Sequence, residues 1–372
     1  LYHLIFIVKI KNNMTICIIG DGLTALTLAK TLVNQNIYVD VIPCNKNLEF
    51  SKNRTIGITK SNFDYFNKNI INIKKIGWKL KRIEIYSNNL KKEKLIKFEN
   101  ANNQLFSIVK NYKLYDILKK SLSKNKYLKF KLFKKLNYLF TEKYELIINC
   151  DYNNLITKKY FSKKTIKKYD SFAYTTIINH KKILNDTAIQ IFTKKGPIAF
   201  LPISNDKTSI VYSVHNSFKK QNENIEELIR NENFKYKING IEKISCFELK
   251  SLNLRSYYHN NILAFGDLLH KVHPLAGQGF NMTIRDIKVF LKIIQKKNDL
   301  GLPIDTSVNI EFENFLKHKN FIFSTGVDLI HDFFNIERKS KSTLLSKSVK
   351  MVSKLPSINR LFIKAADQGI LF

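Results

Sequence analysis

The stretch "GDLLHKVHPLAGQGFNMTIRD", from Gly266 to Asp286, constrains the fold of this chain more than any other. It holds three of the twelve glycines among 372 residues. The apolar run Ile262 to Phe265 precedes it and predicts a strand, and a helical pattern of apolar residues follows it. Glycine lets the backbone approach another group closely, because it has no Cβ atom. The stretch therefore predicts a strand, a ligand-contacting loop and a helix.

A second glycine turn lies near the start of the chain, in "TICIIGDGLTALTLAKTLVNQNIYVDVI". The apolar residues Thr15 to Ile19 predict a buried parallel strand, and the spacing after Gly22 predicts a helix. Gly20 and Gly22 would allow a pyrophosphate to approach the backbone, and the helix N-terminus would stabilise its charge. This pattern predicts a dinucleotide-binding unit.

The fingerprint of this unit departs from the usual one at two positions. Ala25 stands in place of the third glycine, a change that still permits close packing of helix and strand. Pro43 stands where an acidic residue is expected at the tip of the second strand, and Asp40 lies three residues too early. The fingerprint alone is therefore a weak indication of nucleotide binding.

Together, the Gly20–Gly22 turn and "GDLLHKVHPLAGQGFN" resemble the aromatic hydroxylases of the para-hydroxybenzoate hydroxylase fold. Among these class A FAD-dependent monooxygenases, the chain is most similar to the ubiquinone-biosynthesis hydroxylases that act on 2-polyprenyl-6-methoxyphenol. The stretch "QIFTKKGPIAFLPISNDKTSIVYSV", from Gln190 to Val214, carries this narrower resemblance. The resemblance implies an α/β fold with a Rossmann-like FAD-binding domain that is split in sequence, a β-rich substrate domain and a helical C-terminus.

The resemblance also implies FAD as the cofactor and NAD(P)H as the co-substrate. Asp267 would accept hydrogen bonds from the ribityl chain, Arg54 would contact the diphosphate, and the loop around Gly277 would lie against the flavin ring. The cofactor-binding residues implied in this way are Gly20, Gly22, Ala25, Arg54, Asp151, Gly266, Asp267, Pro274, Gly277, Gly279 and Asn281.

A further glycine motif of the family is altered here. After the strand predicted at Leu146 to Asn149, the chain reads "CDYNNLITKKYF", with Tyr152 at the glycine position and Leu155 at the serine position. Tyrosine does not readily adopt glycine dihedral angles, so this change predicts weaker nucleotide binding. Two interpretations stay open: an active enzyme with altered contacts, which we favour, or a protein that keeps FAD as a structural element.

His270 and His273 lie three residues apart, a spacing that raises the question of a metal site. Such a site needs at least one further ligand, and no matching partner lies nearby in the sequence. The pattern therefore predicts no metal, and it predicts a structural hydrogen bond for His270.

The expected organisation interleaves two domains. Residues 14–60, 95–150 and 255–297 would form the FAD-binding domain. Residues 61–94 and 165–250 are rich in β-branched and aromatic runs and would form the substrate domain. Residues 298–372 would be a helical C-terminal region, and residues 1–13 an upstream extension before Met14.

The resemblance implies that FAD, reduced by NAD(P)H, reacts with O₂ to give a C4a-hydroperoxide, which hydroxylates the ring of a polyprenylated phenol. An apolar pocket would exclude water from this reaction. Candidates for its wall are Phe192, Phe200, Leu201 and Pro202, for which ordinary sheet core is the competing interpretation. The sequence identifies no catalytic acid or base.

The net charge of +33 admits two interpretations. A lysine-biased composition is favoured over an anionic partner as the origin of this charge. Among anionic partners, a membrane surface is favoured over nucleic acid, for which no motif is present.

Four well-separated cysteines indicate a reducing compartment. A lipid-like substrate would place a cytoplasmic enzyme at the inner face of the cell membrane. The C-terminal residues Met351, Leu355, Ile358, Leu361 and Phe362 would form either an interfacial helix or a helix docked on the FAD-binding domain.

Two other functions stay open at this stage. The chain could be a non-catalytic, FAD-stabilised subunit that works with other ubiquinone-biosynthesis proteins, or a flavin-dependent prenyl reductase of the same fold. The response of the flavin spectrum to NAD(P)H would distinguish a hydroxylase from a scaffold.

Overall fold

A computed structural model describes residues 15–44, 52–88, 93–99, 104–132, 144–219, 224–274, 277–340, 347, 350 and 356–369. The expected extension at 1–13 lies outside these residues. In chain order the strands are β1 (Thr15–Ile19), β2 (Tyr38–Ile42), β3 (Thr55–Thr59), β4 (Trp78–Leu80), β5 (Arg82–Ser87), β6 (Glu93–Glu99), β7 (Phe106–Lys110), β8 (Leu128–Phe130), β9 (Leu146–Asn149), β10 (Lys164–His180), β11 (Thr187–Thr193), β12 (Gly196–Pro202), β13 (Lys207–His215), β14 (Ile238–Ile241), β15 (Ser245–Leu254), β16 (Tyr258–His259), β17 (Ile262–Ala264) and β18 (His270–Lys271).

Nine α-helices accompany these strands in the described part of the chain. They are α1 (Leu23–Val33), α2 (Lys60–Tyr65), α3 (Asn111–Leu122), α4 (Leu155–Tyr160), α5 (Asn216–Lys219), α6 (Ile225–Glu232), α7 (Gln278–Asp299), α8 (Thr306–Ser340) and α9 (Pro356–Gln368). A π-helical turn at Phe66–Ile70 continues α2, and a 3₁₀ turn covers Gly266–Leu268.

A six-stranded sheet in the order β16-β17-β9-β1-β2-β8 forms the first layer. All of its pairings are parallel except that between β16 and β17. Its central strand is apolar on both faces, with Ile16, Ile18 and Ile19 fully buried, because helices cover both sides of a parallel sheet. Connections leave β1 toward β2 on one side, while β9 lies on the other. The gap between the ends of β1 and β9 is therefore a topological switch point, where such sheets bind ligands.

A larger sheet of nine strands has the order β18-β15-β10-β13-β12-β11-β5-β6, with β14 paired to β10. Its neighbours are antiparallel except β5 and β11, which run parallel. One face packs Phe200 and Tyr212 against Ile229 of α6 and Tyr236. The opposite face of the sheet borders a cavity described below.

A small sheet in the order β3-β7-β4 links the two large sheets. Gly57 of β3 is required here, because a Cβ atom at this residue would lie 2.4 Å from Cε1 of Phe106. Helix α7 packs against β3 and against α1, so the segment that begins at Gly266 ends beside the helix that follows the Gly20–Gly22 turn.

The predicted α/β fold with a helical C-terminus is confirmed. The predicted stripe of α7 is buried, with Ile287, Phe290 and Ile294 at 0% exposure and Leu291 at 6%. Helix α9 begins at Pro356, a position where proline is favourable because it lacks an N–H that the helix could not satisfy anyway. Within the described residues, no helix is both long and apolar enough to cross a membrane.

Candidate functional site

Three loops meet at the carboxyl end of the six-stranded sheet. Residues Gly20 to Gly22 follow β1, Cys150 and Asp151 follow β9, and Gly266 follows β17 after one residue. Gly20 has φ +113° and Gly266 has φ +68°, backbone conformations that favour glycine. The two glycine-rich segments predicted from the sequence therefore lie at the same end of the sheet, on strands that are separated by β9.

Gly22 leaves the N-terminus of α1 open. It is the N-cap residue of α1, it provides no side-chain cap, and an added Cβ atom would meet nothing within 4 Å. The protein itself therefore gives no steric reason for glycine at this position. A free helix N-terminus with open space before it is suited to the phosphate groups of a dinucleotide.

Gly266 has a different role from Gly22. A Cβ atom at Gly266 would lie 2.6 Å from Cγ2 of Thr24, so glycine allows the 3₁₀ turn to pack on the first turn of α1. Asp267 follows in this turn and is exposed, as a residue that accepts hydrogen bonds from a ligand must be. Ala25 packs in the core of the sheet at 1% exposure, which accounts for its small side chain.

Asn281 fixes the segment after Gly277 to strand β3. Its amide nitrogen donates to the carbonyl oxygens of Gly57 (2.9 Å) and Gly277 (3.0 Å). Its oxygen accepts from the N–H of Thr59 (2.9 Å) and from Nδ2 of Asn62 (3.0 Å). These four bonds use both donors and both lone pairs of the side chain. The Asn281 side chain therefore positions this segment, and its contact with the cofactor stays a prediction.

The other predicted residues of this loop lie beside that clamp. Gly277 has φ +62°, and a Cβ atom there would come within 3.4 Å of the Gly57 nitrogen. Gly279 lies in the first turn of α7, where a Cβ atom would meet nothing within 4 Å. Pro274 and Gly277 both line the cavity, so the loop faces it directly.

Arg54, predicted to contact the FAD diphosphate, is exposed and directly precedes β3. Its guanidinium lies 5.3 Å from the centre of the Phe247 ring, a cation–π distance. In this structure its side chain is thus directed toward β15 of the large sheet.

Pro43 stands where the acidic residue was expected, and Cys44 follows it. Burial, and then the carboxylates of Asp151 and Asp21, raise the pKa of the Cys44 thiol, so it stays protonated at neutral pH. Asp40 is buried elsewhere, accepting from Tyr144 Oη at 2.8 Å and from Lys131 Nζ at 3.0 Å. Asp40 therefore does not supply the missing carboxylate.

The altered motif after β9 forms an ordered turn. Asn154 caps α4 by accepting from the Thr157 N–H (2.7 Å), and it donates to Asn149 Oδ1 (2.7 Å). Thr157 Oγ1 donates to the carbonyl oxygen of Asp151 at 2.6 Å. Tyr152 is absent from the described residues with positive φ, and its hydroxyl accepts from Lys164 Nζ at 2.9 Å. The expected conflict between tyrosine and glycine dihedral angles therefore does not arise, because the turn has been rebuilt.

The two histidines of the motif lie in different surroundings. His270 Nε2 donates to the buried carboxylate of Asp286, which also accepts from Asn320, as expected for a structural hydrogen bond. Both ring nitrogens of His273 are buried without a hydrogen-bond partner among the described residues. Burial, and then the charges of His331 and Lys167, hold the pKa of His273 well below its usual range, so this ring is neutral.

No group of His, Cys, Asp or Glu in the described residues could hold a metal ion.

A cavity of about 280 Å³ lies between this loop and the large sheet. Its wall is mainly apolar, with contributions from β4, β5, β7, β12 and the C-terminal helix α9. The apolar side chains that line it are Leu80, Ile83, Ile85, Phe98, Leu105, Phe106, Ile108, Ala188, Ile189, Ala199, Leu201, Val211, Pro274, Ile363 and Ala366. Such a cavity suits an apolar aromatic ligand beside the glycine loop.

The predicted pocket residues are separated by the pleat of the sheet. Leu201 lines the cavity, whereas Phe200 is buried on the opposite face with Tyr236. Pro202, two residues from Phe200, follows the same alternation and is buried. Phe192 stacks on Phe334 of α8 and is not part of the wall. Only Leu201 of the four borders this cavity.

The sequence did not indicate the contribution of α9. Ile363, Ala366 and Asp367 of this helix line the cavity, and the Asp367 carboxylate accepts from the Ser61 N–H at 2.9 Å. Helix α9 is therefore docked on the rest of the protein, beside β3 and α2. The side chains proposed for a membrane face lie outside those described. Asp367 and Ser61 are 306 positions apart, so no local sequence pattern could have predicted their contact.

Residues 161–296 match the FAD binding domain family. Relatives include a ubiquinone biosynthesis monooxygenase COQ6, mitochondrial, of Danio rerio, which is 22% identical over 60% of this chain and 55% of that protein. The 3-demethoxyubiquinol 3-hydroxylase of Escherichia coli (strain K12) is 27% identical over 40% of each chain. The chain spans about half the length of the curated relatives it matches.

Solved structures show the same fold at low sequence identity. The p-nitrophenol 4-monooxygenase PnpA of Pseudomonas putida DLL-E4 has a TM-score of 0.74 at 11% identity, covering 96% of this chain and all of that one. HpxO of Klebsiella pneumoniae, complexed with FAD and uric acid, has a TM-score of 0.72 at 11% identity and covers 97% and 98%. The fold is thus that of the class A flavin monooxygenases, and the predicted resemblance is confirmed.

Proposed function

We propose that this chain is an FAD-dependent monooxygenase that hydroxylates the aromatic ring of a polyprenylated phenol in ubiquinone biosynthesis, with NAD(P)H and O₂ as co-substrates. The observation that carries the proposal is the apolar cavity bordered by Pro274 and Gly277, the loop expected to lie against the flavin. The match to the FAD binding domain and the names of the relatives support it.

The residues present fit FAD. The open N-terminus of α1 at Gly22 would take the pyrophosphate, the exposed carboxylate of Asp267 would accept from the ribityl hydroxyls, and the backbone from Gly277 to Gly279 would border the ring. When bound, FAD would supply the redox chemistry that activates O₂. We also propose the interleaved division into FAD-binding and substrate domains with the boundaries given above.

The chain's own contribution is to orient the phenol and to exclude water. Leu201, Phe106 and Ile363 approach the cavity from three different elements, and apolar walls slow the entry of water into a reacting site. A long prenyl chain would leave the cavity for a lipid environment. We therefore propose that the enzyme works at a membrane surface, where its net charge of +33 favours anionic lipid.

The rebuilt turn at Tyr152 favours a second candidate, a FAD-stabilised subunit without catalytic turnover. One experiment separates the two. The absorbance spectrum of the purified protein is recorded before and after anaerobic addition of NADPH. Yellow protein that bleaches supports the hydroxylase, yellow protein that stays oxidised supports the subunit, and colourless protein that does not take up FAD contradicts both.

A further inference from the structure

Seven of the described side chains that line the cavity are polar or charged: Thr55, Thr59, Lys60, Gln104, Gln190, Gln278 and Asp367. Lys60 and Asp367 are the charged residues that line it within the described residues. The Lys60 ammonium is paired with Asp64 at 2.6 Å, and both of these side chains are largely exposed. With Lys60 paired to Asp64, Asp367 is the remaining charged side chain of the described cavity wall, and Gln278 is one of its amides.

Gln278 has an acceptor that lacks a donor. The residue is 4% exposed, and its Oε1 atom is buried with no hydrogen-bond partner in the part of the chain that is described. An unpaired buried acceptor is unfavourable, and functional sites are where such atoms are retained. Because Gln278 lines the cavity, a ligand that donates a hydrogen bond could satisfy it.

Asp367 is held in place by the junction of β3 and α2. Its carbonyl oxygen accepts from Thr59 Oγ1 (3.2 Å) and from Ser61 Oγ (3.1 Å). The Ser61 N–H donates to Oδ1 of the carboxylate, while Oδ2 has no hydrogen bond to any described residue. The carboxylate is thus anchored through one oxygen, and its second oxygen is available to a ligand.

Two partly buried cations, Arg285 and Lys288, interact with this carboxylate. Burial lowers the pKa of Arg285 to about 10, and the charges of Asp286 and then Asp367 oppose this shift. Burial, and then the charge of Arg285, lower the pKa of Lys288 to about 8, and the charge of Asp367 opposes this shift. Asp367 therefore brings an anionic acceptor to a mainly apolar cavity.

We propose that Asp367 and Gln278 together hold the hydroxyl group of a neutral phenol, and that this pair selects phenols over ring ethers, which lack the O–H donor. The inference rests on the proposed function and names the residues that orient its substrate. A phenol O–H donates to an acceptor, whereas the corresponding methyl ether has no hydrogen to donate.

The same contact would activate the ring. A hydrogen bond to a carboxylate increases the electron density on the phenol oxygen and the ring carbons. Complete proton transfer is opposed, because a phenol has a pKa of about 10 and an aspartic acid about 4. The phenol proton thus stays on its oxygen while the Asp367 carboxylate accepts the hydrogen bond.

The test compares 2-hexylphenol with its methyl ether, in which a methyl group replaces the hydrogen of the O–H donor. Binding to the FAD-loaded protein is followed by the fluorescence of Trp78, the only tryptophan, which packs on the cavity residues Leu80, Phe106 and Ile108. The wild type should bind the phenol about ten- to a hundred-fold more tightly than the ether. In Asp367→Asn the remaining oxygen can still accept from the Ser61 N–H, and an NH₂ donor replaces the second oxygen. The preference of this variant for the phenol over the ether should therefore fall below about threefold.

Matched variants separate positioning from a general structural effect. Gln278→Met should lose part of the preference for the phenol, and Asp299→Asn, an exposed aspartate on α7, should keep all of it. An Asp367→Asn protein that keeps the wild-type preference, or that loses affinity for both ligands equally, overturns the proposal. Hydroxylated product is assayed separately, so its absence alongside a clear preference would count against the proposed function only.

Discussion

The two halves of the candidate cofactor site are held together in different ways. The ring-side segment, residues 266–274 and 277–281, keeps its glycines, with left-handed backbone at Gly266 and Gly277. The nucleotide-side segment after β9, residues 150–157, lacks the family's glycine and is held by hydrogen bonds among Asn149, Asn154 and Thr157. A polar network can replace glycine where the backbone can adopt ordinary dihedral angles, but not where another backbone must approach closely.

The largest expected effect is on the clamp of the ring-side segment. Asn281→Ala removes four hydrogen bonds at a fully buried position and leaves their partners unsatisfied. We expect the free energy of unfolding, measured with urea, to fall by about 3–4 kcal/mol. Gln295→Ala, an exposed glutamine of the same helix, should change it by less than about 0.5 kcal/mol. A loss below about 1 kcal/mol in Asn281→Ala would show that the clamp is not what fixes this segment.

The sequence predicted the parts of the site that depend on short-range patterns. The strand before Gly266, the helix stripe at Ile287 and Phe290, and the turn at Gly22 each follow from spacing within about ten residues. The sequence assigned no role to Asp367, and it indicated a cofactor contact for Asn281 but not its position as a clamp. The hydrogen-bond partners of both residues lie far away in the chain. Ser61 is 306 positions from Asp367, and Thr59 is 222 from Asn281. Tertiary contacts of this kind leave no periodicity in a single sequence.

The second expected effect separates binding from folding in the ring-side segment. Asp267→Ala removes an exposed carboxylate, so the thermal midpoint without FAD should stay unchanged. The FAD affinity should fall about ten- to a hundred-fold, because a charge-assisted hydrogen bond is lost. Flavin per chain after gel filtration measures this effect, with Asp299→Ala as the control. Stoichiometric FAD in Asp267→Ala would remove this residue from the site.

A third, smaller effect concerns two glycines that differ in what surrounds them. Gly279 lies in a helix with open space around it, so Gly279→Ala should raise the stability without FAD by about 0.5–1 kcal/mol. Gly277 has φ +62°, so Gly277→Ala should lower it by about 1 kcal/mol. Both variants should bind FAD more weakly. An unchanged FAD affinity in Gly279→Ala would mean that this open space does not face the flavin.

The smallest expected effect tests the rebuilt turn of the nucleotide-side segment. Sequence comparison with the family suggests that Tyr152→Gly would restore binding, whereas the structure suggests that it would not. Tyr152 already has an ordinary φ, and the network through Asn154 and Thr157 holds the turn without it. We therefore expect Tyr152→Gly to lower the free energy of unfolding by about 0.5–1 kcal/mol, since glycine loses more entropy on folding. We expect its FAD affinity and its rate of anaerobic reduction by NADPH to stay within about twofold of the wild type.

Tyr152→Phe is the matched control for this prediction, because it removes only the hydroxyl that accepts from Lys164 Nζ. The contact involves a partly buried tyrosine, so its loss should cost about 0.5–1 kcal/mol of stability and leave FAD affinity unchanged. A Tyr152→Gly protein that binds FAD more tightly, or is reduced faster, would show that the tyrosine obstructs the site. Both segments would then need glycine to bind the cofactor well. The hydrogen bonds of the turn at Tyr152 would hold that turn in shape without restoring the function of the lost glycine.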